Sequence, residues 1–105
     1  MNNKAIGLIG IATKAGKVTF GTEAVLERIE KKKTILVIIA KDSSKKAKEN
    51  MKFACNKNDI RLVEFSSIDE ISHAIGKNNK SVICINEKNL GEEIYKIICG
   101  GGAIG

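Results

Sequence analysis

The run Thr34-Ile35-Leu36-Val37-Ile38-Ile39-Ala40 carries no charge, no glycine and no proline, and most of its side chains are β-branched. A strand with one wet face alternates apolar and polar residues. A strand without alternation is covered on both faces. This segment therefore reads as the centre of a sheet with helices on either side, and Ser81-Val82-Ile83-Cys84-Ile85 reads the same way.

The segments around these strands switch period. Helical spacing from about Lys4 to Ala15 places Ala5, Leu8, Ile9 and Ala12 on one face, with Asn2 or Asn3 as cap and Gly16 just past the end. An extended piece, Lys17 to Phe20, leads to Gly21. A second helix is expected to start near Thr22 as cap, with Glu23 at its positive end, a stripe of Val25, Leu26 and Ile29, and Lys31 to Lys33 at its negative end. Asp42-Ser43-Ser44 is expected to cap a third helix with Ala47, Met51, Ala54 and Cys55 inward. Ile60 to Phe65 reads as a strand. Ser67-Ile68-Asp69-Glu70 has the form of a capping box and opens a short helix that stops at Gly76. Asn89 is expected to cap a last helix with Leu90, Ile94, Ile97 and Ile98 inward. The alternation predicts an α/β fold, a three-layer α/β/α sandwich around a small mixed four-stranded sheet. At 105 residues there is room for one hydrophobic core, assigned to residues 1–99. The Gly-rich tail 100–105 is expected to fray.

Enzyme signatures fail on inspection. Gly10 to Lys17 has the look of a phosphate-binding loop, but its spacing is one residue too long, Val18 replaces the magnesium-holding Ser/Thr, and no strand precedes it. The single histidine, His73, has no cysteine within sequence reach, and the acidic pairs Asp69-Glu70 and Glu92-Glu93 suit helix starts. No nucleophile, base and orienter assemble, so the chain is expected to be no enzyme, with no cofactor, metal or small-molecule substrate. Cys55, Cys84 and Cys99 form no CxxC and sit in apolar contexts, which reads as buried thiols in a reducing compartment. The first apolar stretch is too brief to span a membrane, and a cytoplasmic location is expected.

Charge points to a polyanionic partner. Residues 1–52 hold twelve Lys/Arg and five acids, a net +7; the other 53 residues hold six bases and seven acids, a net −1. Lys14 and Lys17 flank Gly16 before the extended piece, and a helix opening at Gly21-Thr22-Glu23 aims unpaired N–H groups outward, a ready place for a phosphate or a base edge. Lys31 to Lys33 serve equally as a solvated helix end.

The span from Gly21-Thr22-Glu23-Ala24 to Leu36-Val37-Ile38-Ile39-Ala40-Lys41-Asp42, with a capped helix after it, resembles the ribosomal L-seven-Ae / L-thirty-e family. The opening Gly7 to Lys17 is similar to its bacterial YlxQ-type branch, and the resemblance covers roughly residues 4 to 98. It implies the α/β/α sandwich and binding of kink-turn or related bulged RNA, often in ribosomes or other ribonucleoproteins. Family members insert the turn before the second helix into RNA, where a Gly-x-Asn-Glu motif reads sheared G·A pairs and a Lys follows one turn on. Gly21 keeps the glycine. Glu23 stands in place of the Asn, Ala24 of the Glu and Glu27 of the Lys, and Lys31 matches a basic position further along. The family's second contact corresponds to about Phe65 to Ile68, where Phe65 either stacks on a base or closes the core at the strand end. The expected RNA-binding set is thus Lys14, Lys17, Gly21, Thr22, Glu23, Lys31, Phe65 and Ser66. Two readings follow: a ribosome-associated protein docking structured RNA, or a protein-interaction module on the same scaffold that has lost kink-turn readout.

Overall fold

A computed structural model of the protein describes residues 3–100. The elements run α1 (Asn3–Lys14), β1 (Val18–Phe20), α2 (Thr22–Glu30), β2 (Leu36–Ile39), α3 (Lys45–Asn58), β3 (Arg61–Glu64), α4 (Ile68–Ala74), β4 (Val82–Ile85) and α5 (Lys88–Tyr95), with a π-helical turn over Lys96–Gly100. The expected cap Asn2 and the tail beyond Gly100 lie outside the described residues.

The strands form one sheet in the order β1-β4-β2-β3. β4 pairs antiparallel with β1 and β2, and β2 pairs parallel with β3. The two unalternating strands, β2 and β4, sit side by side in the middle, and all eight of their residues are buried. Their side chains divide by period two. Leu36, Ile38, Ile83 and Ile85 join Ala5, Ile9 and Ala12 of α1, Ile71 of α4 and Ile94 of α5. Val37, Ile39, Val82 and Cys84 join Val25 and Ile29 of α2 and Met51, Ala54 and Cys55 of α3. Three layers result, with α1, α4 and α5 on one face and α2 and α3 on the other.

Several details differ from the sequence expectations, mostly at helix ends. Gly21, not Thr22, is the residue before α2, and no side chain caps that helix. Ser44 caps α3 by accepting from the Ala47 N–H at 3.1 Å, but the Asp42 carboxylate turns away to accept from Ile68 N–H of α4 at 2.9 Å. Ser67 caps α4 as expected, while Glu70 accepts from the Ser66 hydroxyl instead of completing a box with the Ser67 backbone. Glu87, not Asn89, caps α5: its carboxylate accepts from Asn89 N–H (3.1 Å) and Leu90 N–H (2.7 Å). Those two bonds, and Lys17 nearby, hold the Glu87 carboxyl below the ordinary glutamate range. Cys55 and Cys84 are buried, and burial pushes Cys55 up to about 11; Cys99, expected inside, is exposed.

Candidate nucleic-acid interface

The antiparallel register decides what lies near the Gly21 turn. β1 ends there, β4 begins beside it, and β2, antiparallel to β4, also ends there, with β3 beside β2. One end of the sheet therefore collects Gly21 to Ala24, Lys41 to Ser44, Phe65 to Ser67, and Lys80-Ser81. The N-termini of α2, α3 and α4 follow directly from those segments, so three positive helix ends share one pole of the molecule.

α3 and α4 have side-chain caps on their first N–H groups; α2 does not. The Gly21 N–H donates to the Val82 carbonyl at 3.1 Å, and its carbonyl accepts from Val25 N–H at 2.9 Å, which pins the turn to the sheet. Gly21 has φ 92 and ψ 147, a region open to glycine and hardly to anything else. Thr22, Glu23 and Ala24 are exposed. The first turn of α2 thus presents backbone donors outward from a fixed loop.

The lysines at this pole are not those the sequence singled out. Lys46 lines a groove with Thr22, Ser44, Asn50 and Ser81. The Lys41 N–H donates to the Ser66 carbonyl at 2.9 Å, and Lys48 Nζ donates to the Lys41 carbonyl at 2.6 Å while pairing with Glu64 at 3.3 Å. The ammonium groups of Lys77 and Lys80 lie 5.2 and 5.4 Å from the centroid of the Phe20 ring. A signal for Lys41 and Lys46 was present in the sequence, since both follow the end of the central strand. Only the pairing of β2 with β4 brings both to the Gly21 pole, Lys46 beside Thr22 and Lys41 beside Ser66.

Of the expected contacts, Gly21, Thr22 and Glu23 stand together at the turn. Ser66 is at the same pole with φ 60, its hydroxyl donating to Glu70, and three strand spacings (about 14 Å) separate β1 from β3. Lys14 and Lys17 are at the opposite pole: Lys17 precedes β1, and its carbonyl accepts from Asn86 N–H beyond the far end of β4. Lys31 is there too, about 14 Å down α2 from Thr22, and pairs with Glu27 at 3.1 Å. The three lysines therefore do not flank the turn. Phe65 is 8% exposed and packs with Val63 and Ile71, so its ring is core and is not available to stack on a base. The physical reason is the parallel β2–β3 pairing, which turns residues 63 and 65 to the same covered face.

Residues 3–95 match the sequence pattern of the ribosomal protein L7Ae/L30e/S12e/Gadd45 family. The chain belongs to that family. It is 35% identical over 77 residues to an RNA-binding protein YlxQ of Enterococcus faecium, covering 73% of this chain and 75% of the relative. It is 22% identical over 91 residues to the RNA-binding protein YlxQ of Bacillus subtilis, covering 87% and 91%. Two solved structures share the fold. A Bacillus halodurans protein of unknown function superposes with a TM-score of 0.88 over 90% of this chain and 96% of its own, at 23% identity. A Giardia lamblia 15.5 kD RNA-binding protein superposes with a TM-score of 0.80 over 100% and 93%, at 20% identity. Among the described residues no helix is long and apolar enough to cross a membrane, and no group of three or more His, Cys, Asp or Glu could hold a metal ion.

Proposed function

We propose that this chain is an RNA-binding protein that docks structured, bulged RNA against the pole bearing Gly21, as a component of a ribosome or another ribonucleoprotein. The observation that carries the reading is the uncapped start of α2. Its first residues stand exposed on a turn that Gly21 fixes, with Lys46 in the adjoining groove and Lys41, Lys80 and two further helix N-termini at the same pole. Backbone donors and lysines of this kind bind phosphate and position RNA without reading sequence. Family membership and relatives named as RNA-binding proteins support the same reading. Lys14, Lys17 and Lys31 would then serve only an RNA long enough to reach the far pole.

A kink-turn RNA and a plain duplex, each titrated at two salt concentrations, test this. Tighter binding of the kink-turn is expected, with a loss of about 0.9 log units of affinity per decade of salt for each phosphate neutralised, if the RNA behaves as duplex DNA does. Equal, weak binding of both RNAs and of a neutral control protein sinks the proposal.

A second reading rests on Glu23, Ala24 and Glu27, which replace the family's base readers with exposed carboxylates and a methyl group. Under it the same pole is a protein-interaction surface. Partners retained from nuclease-treated lysate would favour it, and an RNA-dependent set would count against it.

A further inference from the structure

The chain has three phenylalanines, and the structure accounts for two. Phe65 is core, and Phe20 is half-buried beneath two lysines. Phe53 is 71% exposed in the middle of α3. A solitary surface phenyl needs no explanation. This one borders a groove of about 460 Å³ between α2 and α3, lined by Leu26, Glu30, Asn50, Ala54, Lys57 and Phe53 itself. Asn50 also lines the smaller groove that holds Thr22, Ser44 and Lys46. The two grooves thus share Asn50 as a common wall, one reaching Thr22 beside the Gly21 turn and the other Phe53, and together they form a furrow along α3.

We infer that this furrow takes a short single-stranded RNA segment leaving the turn, with a base stacked on Phe53; the inference rests on the proposed RNA docking at the turn. α3 carries Lys45, Lys46, Lys48, Lys52 and Lys57 against the single acid Glu49. A basic track with an accessible aromatic face is how proteins hold single strands without sequence preference, because every base has a π-face and every nucleotide a phosphate. Glu30 on the opposite wall keeps the backbone on the α3 side. A protein partner fits less well. Lysine is depleted where proteins meet, and here Lys57 lines the groove beside the ring and Lys46 the groove that adjoins it, while Lys48 is held by Glu64.

The test compares wild type, Phe53→Ala and Phe53→Tyr on two RNAs: a short oligouridine and a blunt-ended kink-turn stem. Phe53→Ala is expected to weaken oligouridine binding by about 5- to 150-fold, the range for one stacked base, and to leave the blunt stem unchanged. Phe53→Tyr keeps the ring and is expected to bind both as wild type does. Because the ring is exposed, melting temperature should not move, which separates lost stacking from lost folding. The inference is overturned if wild type does not bind oligouridine, if Phe53→Ala binds it as well as wild type, or if both RNAs are weakened alike. It is also overturned if sedimentation shows a wild-type dimer that Phe53→Ala dissociates, which would put a second copy on the ring. Phe53-dependent oligouridine binding without stem binding supports the furrow and refutes docking at the turn.

Discussion

Replacing Gly21 by alanine separates backbone geometry from side-chain contact at the turn. At φ 92 and ψ 147 an L-residue is strained by about 1–3 kcal/mol. A Cβ built there meets nothing within 4 Å, so neither clash nor new packing changes that figure. Restricting the unfolded chain offsets about 0.4–1 kcal/mol of it. The net loss is about 1–2 kcal/mol. With an unfolding entropy of about 2.1 cal/mol/K per residue, 105 residues convert this to a fall in Tm of roughly 5–9 °C. The chain can relieve the strain only by moving the first turn of α2, so RNA affinity should fall too. A D-alanine introduced at the same position by semisynthesis favours positive φ and should recover both stability and affinity. Thermal melts and RNA titrations of the three proteins decide the matter. An L-alanine variant that melts with wild type would refute the strain argument. A D-alanine variant as damaged as the L-form would assign the loss to the added methyl group instead.

Gly91→Ala should destabilise despite alanine's better helix propensity of about 1 kcal/mol. Its Cβ would lie 2.8 Å from Ile35 Cγ2 and 3.0 Å from Ile35 Cβ, and overpacking of this kind costs about 1–3 kcal/mol; adding Ile35→Ala in a urea-denaturation double-mutant cycle should show favourable coupling. Iodoacetamide at pH 8 should label Cys99 alone in the native state and all three cysteines in denaturant, read by mass spectrometry, because burial keeps Cys55 and Cys84 protonated and covered. Between the unfolded thiol value and about 11 the unfolded chain binds fewer protons at Cys55 than the native one, so stability should decline as pH rises through that window. Glu87 works in the opposite sense. Its depressed folded value means that its cap is fully present above the unfolded glutamate pKa of about 4.3 and fades as pH falls through the lower folded value, so the gap in urea midpoint between wild type and Glu87→Gln should be widest near neutrality and narrow in acid.

The layered architecture could be read from the sequence because β2 and β4 are buried on both faces, and only a three-layer fold asks that of a strand. Helix caps were less legible. Glu87 caps α5 with a side chain long enough to reach two N–H groups from one position before the helix, so the shorter Asn89 drew attention to the wrong residue. Asp42 sits in a run that suits one helix and serves another, 26 residues on, because β2 and β3 end side by side. The lysines were misplaced by the same kind of error. Lys14 and Lys17 are close to Gly21 along the chain, but β1 lies between and carries them to the other pole. Lys41 and Lys46 are distant in sequence and near in space, which only strand pairing reveals. Phe53 had a signal in the pattern itself: Ala47, Met51, Ala54 and Cys55 form the inward stripe of α3, and position 53 falls outside it.

The turn and the furrow answer a difficulty that the substitutions at positions 23 and 27 create. Along α2 the charges are Glu23, Glu27 and Glu30 against Arg28; along α3 they are five lysines against Glu49. Packed helices stand 8–10 Å apart, about one Debye length at physiological salt, so the carboxylates of one helix and the ammonium groups of the other act together on whatever lies between them. An anionic strand in that space is pushed from α2 and drawn to α3. Glu27 is paired with Lys31 and opposes RNA binding little, and Glu30, which lines the furrow, is the acid placed to push the backbone toward the wall that carries Phe53. If RNA docks at this pole as proposed, backbone donors hold it at the turn and lysines lead it away, in place of side chains that read base edges. Affinity should then depend strongly on salt and only weakly on the identity of the bases that the family's usual readers contact.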